Sequence, residues 1–387
     1  MIEAGLLDSG RHAVTDGNIA VINLENSRRR SWDRLVSDPM RPLAAERIVE
    51  EEQMACEFLG DVDALDRLEG LAMQVALLVP ASARTALLQA QVASTTHRFA
   101  DARRYLEDAA RNGAPSESVE NLTLNIDQAC GARLDAVLEA RRRRAAESNG
   151  LEDLVPLGAL LADLHEFVEA DEVYRHALRV YGDVSPFGPA WVCFQLGVLW
   201  GELVAEPQTE RAAHWYRKAI ACVPAYVKAR VHLAEIHLRG GKAHEAEALL
   251  RGAAASGDPE VPWRLAEVLA SNARFDEAEG QLAGARSEYE SLLDKHLLAF
   301  ADHAAEFYAG SGNDLSKALC LARANADNRP TLRAFEQAHA IAVDAGETIA
   351  AAELLASATR RWGATNAFRQ SSLAADRNEP TSNGDHA

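Results

Sequence analysis

Between Pro189 and Pro259 the chain carries one succession of residue classes twice. The first passage reads Leu196-Gly197, Trp200, Ala212, Tyr216, Ala219 and Pro224; the second reads Leu233-Ala234, His237, Ala246, Leu250, Ala253 and Pro259. Ala212 and Ala246 are 34 residues apart, as are Ala219 and Ala253. Within each passage the apolar residues recur every three or four places, the spacing that gathers side chains on one face of a helix. A helix pair this short cannot bury its apolar stripe alone, so each unit must stack on the next. Small residues are required where stacked helices cross, and Gly197, Ala212, Ala219, Ala234, Ala246 and Ala253 fall at those points.

The pattern extends in both directions. Upstream it returns as Leu157-Gly158, Leu161, Ala170, Tyr174 and Ala177; downstream as Leu265-Ala266, Leu269, Phe275, Ala278, Leu282 and Ala285. Further units read Ala305, Tyr308, Ala318 and Ala322, then Ala340, Ala352 and Ala356. The interval from Ala170 to Ala212 is 42 residues, so extra chain at 182–189 and 204–209 must loop outward. In period and residue order the chain resembles the tetratricopeptide repeat family, whose signature is W-x2-L-G-x2-Y, then A-x3-F, then P.

That resemblance implies an all-α, right-handed solenoid of stacked antiparallel helix pairs, with good register over 150–362. Residues 41–149 are expected to hold an N-terminal helical cap and degenerate repeats, among them Ala90, Phe99, Ala102 and Leu106. Residues 1–40, with only a weak strand-like alternation from Ile19 to Leu24, are expected to be a flexible or loosely docked leader. The polar tail 363–387 is expected to be disordered. The run Arg141 to Arg144 is expected to be a solvated basic face.

In solenoids of this kind the first helix of each pair lines a concave groove. Counting from Gly197, Ala234, Ala266 and Ala305 as equivalent positions, the resemblance implies groove residues Trp191, Phe194, Val198 and Glu202; Lys228, Val231, Glu235 and Arg239; Glu260, Trp263 and Glu267; and Asp302 and Glu306. Aromatic anchors among mixed charges suit a protein or peptide ligand. The expected function is therefore a non-catalytic interaction scaffold, adaptor or assembly factor.

A second reading concerns His232-x-x-Glu235 and His303-x-x-Glu306, each of which puts an imidazole and a carboxylate on one helix face, as metal sites require. The reading makes the chain a metal- or small-ligand-binding accessory protein of a biosynthetic pathway. The two pairs lie two units apart, roughly 20 Å where a helix layer adds about 10 Å, which is too far to share one ion. No cofactor is implied by any motif. Phosphate-binding loops, dinucleotide fingerprints, nucleophile elbows and H-E-x-x-H are missing.

Net charge bounds the partners. The chain of 387 residues carries a formal charge of −18, which disfavours nucleic acid, since phosphate binding rests on clustered Lys and Arg. The five cysteines are scattered and lack C-x2-C spacing, as reduced thiols in a cytoplasmic setting would be. The N-terminus does not read as a signal peptide, and no apolar run approaches the roughly 18 residues of a membrane span.

Overall fold

The computed structural model describes residues 14–38 and 43–378, the last three without side-chain placement. Among the described residues there are twenty helices and no strands. The helices pack mainly on their neighbours in sequence, so the repeat periodicity becomes stacked antiparallel pairs.

The first helices of successive pairs are α2 (Ala44–Leu59), α4 (Ala83–Thr95), α6 (Ser116–Ala129), α8 (Leu151–Asp163), α10 (Phe187–Val198), α12 (Val227–Arg239) and α14 (Glu260–Ser271). Their partners are α3 (Ala64–Leu78), α5 (Phe99–Arg111), α7 (Leu134–Ser148), α9 (Phe167–Val180), α11 (Thr209–Cys222), α13 (Ala243–Arg251) and the front of α15 (Phe275–Ala309). α15 leaves helical geometry at His296, with φ −134° and ψ 47°, and its rear half begins the next pair with α16 (Leu315–Asn328). α17 (Leu332–Asp344) and α18 (Thr348–Trp362) complete the array.

The small residues sit at the crossings that the pattern requires. Ala212, Ala219, Ala234, Ala246 and Ala253 are all buried. A Cβ on Gly158 would come 2.6 Å from the Tyr174 ring, and one on Gly197 would overlap the Tyr216 ring. In both units the missing side chain lets a tyrosine from the second helix press against the first helix.

The extra chain at 204–209 is preceded by a π-helical turn at Leu199–Leu203, a single-turn widening of the kind that often marks a functional position. It carries Glu202 at the end of α10.

Three expectations need correction. The expected loose leader is, over Gly17–Ser37, a helix (α1) whose N-terminus is capped by the Asp16 carboxylate, accepting from the Asn18 and Ile19 amides. It docks by burying Ala20, Leu24 and Leu35 and by charge: Arg28 bonds Glu52 and Asp61 at 2.7 Å, Trp32 donates to Glu52 at 2.8 Å, and Arg67 binds the same two carboxylates from α3. The strand-like Ile19–Leu24 lies inside this helix; residues 1–13 and 39–42 lie outside the described residues. Second, the tail continues beyond Gly363 as α19 (Asn366–Arg369) and α20 (Ser372–Asn378), with Phe368 and Leu373 buried in the core of α17 and α18; residues 379–387 lie outside the described residues. Third, Arg141 is buried on Asn125 and Gln128, while Arg142, Arg143 and Arg144 pair with Glu169, Glu120 and Asp153. Arg141 and Arg144 are thus struts within the fold, while Arg142 and Arg143 remain on the expected solvated face, paired with surface carboxylates.

The array winds far enough to meet itself. The turns between α2 and α3, α4 and α5, and α6 and α7 touch the connections that open α12, α14, the rear of α15 and α17. Glu57 accepts from Tyr226 at 2.7 Å and from Lys228; the Gly257 amide donates to Gly60 O at 3.1 Å. His296 and Lys295 both reach Asp66, and Asn328 donates to His97 O at 2.9 Å. The kink at His296 thus coincides with a buried side chain fixed to the N-terminal arm, α1–α7. The concave faces of both arms therefore border one lumen.

Candidate concave binding surface

Along the C-terminal arm, α8–α18, the lumen wall from α10 to α17 is a ladder of ion pairs joining successive first helices. His232 Nδ1 lies 2.7 Å from Glu202 Oε1, which also accepts from Tyr216 Oη at 3.0 Å. Burial alone would raise the Glu202 carboxyl, but the charge and hydrogen bond of His232 hold it down at about 2. The His232 imidazole is raised in turn, Glu202 outweighing burial. Its ring stacks on Tyr216 and meets Phe194 edge-on.

Arg264 is the next rung. Its Nη2 is 2.7 Å from both Glu235 and Glu306, its Nη1 3.4 Å from Glu267, and its guanidinium lies 3.6 Å over the Trp263 ring. Glu260 pairs closely with His303. Although loss of solvent opposes it, Asp302 and Glu260 hold the half-exposed His303 imidazole well above its ordinary value. Asp302 faces Arg329 at 3.5 Å, and Arg333 reaches from α17 to Glu202 at 3.4 Å.

These contacts decide how the expected groove residues sit. Glu202, Glu235, Glu260, Glu267, Asp302 and Glu306 are brought together, each on a partner within the wall. Trp263 is 1% exposed, donating Nε1 to Glu267 at 2.9 Å and Ser311 at 3.0 Å. Phe194 is buried in an aromatic cluster with Tyr216 and Tyr226, and Val231 is fully buried. As anchors for a ligand, Trp263 and Phe194 are therefore corrected to core residues: both rings fill space between successive helices. Trp191 and Val198 are half-buried against that core. Lys228 is held by Glu57, and Arg239 is exposed at the rim beside Tyr216 and His237.

Each imidazole of the expected metal pairs is engaged by a carboxylate of the preceding first helix. Among the described residues no group of three or more His, Cys, Asp or Glu is arranged to hold a metal ion. All five cysteines are free thiols. No helix among the described residues is long and apolar enough to cross a membrane.

Position counting passed over Arg264, the centre of the ladder, because it lies two places before the counted Ala266. Its spacing to Glu267 was the available signal.

The N-terminal arm differs. A groove of about 790 Å³ runs across α2, α4 and α6. Leu87 and Leu122 form its half-buried apolar floor, and Gln53, Gln91, Asn121 and Asn125 supply amides. The buried Oδ1 of Asn121 has no hydrogen-bond partner among the described residues.

Stacked pairs, with a glycine–tyrosine seam in two of them, define the chain as a tetratricopeptide-like helical solenoid. No protein family and no curated protein matches the chain. Among solved structures it is similar to the APC/C hetero-tetramer Cut9-Hcn1, at 14% identity over 91% of this chain and 67% of that one, TM-score 0.43. Yeast Tom70 matches at 14% identity over 92% and 91%, TM-score 0.34. A monomeric mutant of IFIT1 with m7Gppp-AAAA matches at 15% identity over 87% and 67%, TM-score 0.36.

Proposed function

We propose that this chain is a non-catalytic protein-interaction scaffold whose concave surface receives an extended segment of a partner protein, entering by the groove of the N-terminal arm. The observation that carries the reading is an open groove of about 790 Å³ with a leucine floor and a rim of amide side chains, beneath which the buried Asn121 Oδ1 is unpartnered among the described residues. A carboxamide both donates and accepts, so a row of them matches the alternating N–H and C=O groups of an extended main chain. Leu87 and Leu122 would take one apolar side chain of the segment. Beyond this groove, Arg239, Glu267 and Glu306 are polar selectors that a longer segment would reach. An acidic chain with five free thiols suits a basic or apolar partner in a reducing, cytoplasmic compartment, and nucleic acid is disfavoured by the same charge.

Peptides selected from a displayed random library, with affinity read by fluorescence anisotropy, test the reading. Binding should weaken about tenfold or more in Leu122→Glu/Asn121→Ala. It should be unchanged in Glu279→Lys on the exposed face of α15. Selection of no peptide, or equal binding to all three proteins, would sink it.

A further inference from the structure

A separate cavity of about 420 Å³ lies where the arms meet. Its walls carry three carboxylates, of which two are matched: Glu57 by Lys228 and Glu260 by His303. Asp258 is the third. One of its oxygens accepts the Glu260 amide at 3.0 Å, but no ion pair reaches it among the described residues. Beside it is Tyr289, with 0% exposure and a hydroxyl that has no partner among the described residues. The Tyr289 ring is fixed by stacking on Phe307, 5.0 Å between centroids, so the hydroxyl cannot swing away to solvent.

One uncompensated carboxylate and one orphaned phenol call for a donor with positive charge. Val62, Leu65 and Phe300 line the same cavity and offer an apolar wall for a carbon chain. We propose that this cavity binds a primary alkylammonium group, with Asp258 as counter-ion, the Tyr289 hydroxyl as second acceptor, and the alkyl chain along Val62, Leu65 and Phe300.

The electrostatics agree with this geometry. Burial first, and Glu260 second, push the Asp258 carboxyl upward; Lys228 and His303, each already paired with another carboxylate, oppose this only in part. Burial, then the Glu260 and Asp258 charges, push the Tyr289 phenol up too, which places these groups in one field. An anion would meet unmatched negative charge here. A metal ion would find too few ligands. The ammonium can come from a lysine of a protein segment in the lumen or from a free aliphatic diamine.

Calorimetric titration of the full chain with cadaverine, Nα-acetyl-lysine amide and the uncharged Nα-acetyl-norleucine amide separates these cases. Saturable one-site binding of an ammonium probe, absent for norleucine, is expected. It should weaken about tenfold or more in Asp258→Asn and in Tyr289→Phe. Asparagine retains an acceptor for the Glu260 amide and phenylalanine retains the ring stack, so both variants should fold, which circular dichroism checks. Binding of both ammonium probes supports the site with a lysine as its natural occupant; binding of cadaverine alone supports it with a free amine. If neither binds, or both variants bind as wild type does, the assignment is overturned. The titration needs no protein partner, so it stands or falls separately from the peptide selection.

Discussion

On the inner face of α2, α4 and α6 the polar side chains bordering the groove are largely neutral, and one buried amide oxygen is without a partner. From α10 to α17 the inner face is built mainly from ions already matched to one another, over aromatic rings already in the core, with the Asp258 and Tyr289 cavity as the exception. A ligand at the first surface can form hydrogen bonds that nothing else is making. At the second, outside the Asp258 cavity, it must displace existing pairs, whose desolvated charges would be costly to separate. One repeat architecture can thus present a receptive face and a reinforced one, and burial of the aromatic residues distinguishes them.

The largest effect should appear in the reinforced arm. Trp263→Ala removes a 1%-exposed ring packed on Tyr289 and Phe307 and should cost about 3 to 5 kcal/mol. Leu122→Ala, at a half-buried position in the receptive groove, should cost about 1 kcal/mol. Urea midpoints for the two variants give the comparison directly, and equal midpoints would dissolve the distinction between the faces.

Arg264→Met comes next. It leaves Glu235, Glu267 and Glu306 without their shared cation, and Arg264 is only 14% exposed, so a loss of about 3 kcal/mol is expected. Adding Glu235→Gln should recover part of it, since the two positions are directly coupled. A double variant as unstable as the sum of the singles would show that the ladder is not a coupled unit.

The sequence displayed the stacking far better than it displayed this wall. Repeat positions such as Gly197, Ala212 and Ala246 are set by local periodicity, so the helix pairs from Leu151 to Trp362 were legible. α1 was not, because its buried apolar face is sparse, Ala20, Leu24 and Leu35, and the rest of its docking is ionic, by Arg28 and Trp32 onto Glu52. Phe194 and Trp263 were located correctly on their helices but assigned to solvent; whether a groove aromatic is covered depends on Tyr226, Tyr289 and Phe307, which arrive from other units. The lumen itself depends on the arms meeting, through pairs such as Asp66 and His296 some 230 residues apart.

A smaller effect in the reinforced arm depends on pH. The Glu202 carboxyl lies near 2 in the fold against an ordinary value of 4.5, so its contribution is present above about 4.5 and lost as pH falls toward 2. His232 is raised above 6.5, so its share is full below that value and is lost as pH rises through its folded value. The pair is therefore worth most between about 4.5 and 6.5. Glu202→Gln should cost stability in that window and progressively less toward pH 2, measured as the difference in thermal midpoint from wild type. A difference that does not vary with pH would deny the pair its ionic character.

The smallest effect has the opposite sign. Gly70 lies in the middle of α3, is exposed, and would have no atom within 4 Å of an added Cβ. Its only consequence there is the backbone freedom lost on folding, so Gly70→Ala should stabilise the N-terminal arm by about 0.5 to 1 kcal/mol. At Gly197 the same substitution meets the Tyr216 ring and should destabilise, since space rather than freedom is what that glycine provides. Hydrogen exchange resolves the two, because the gain should appear in the amides of α3 and its neighbours, and the loss in those of α10 and α11. Protection that falls at α3 would mean that its outer face, with exposed Met73 and Leu77, is constrained by something other than the helix itself.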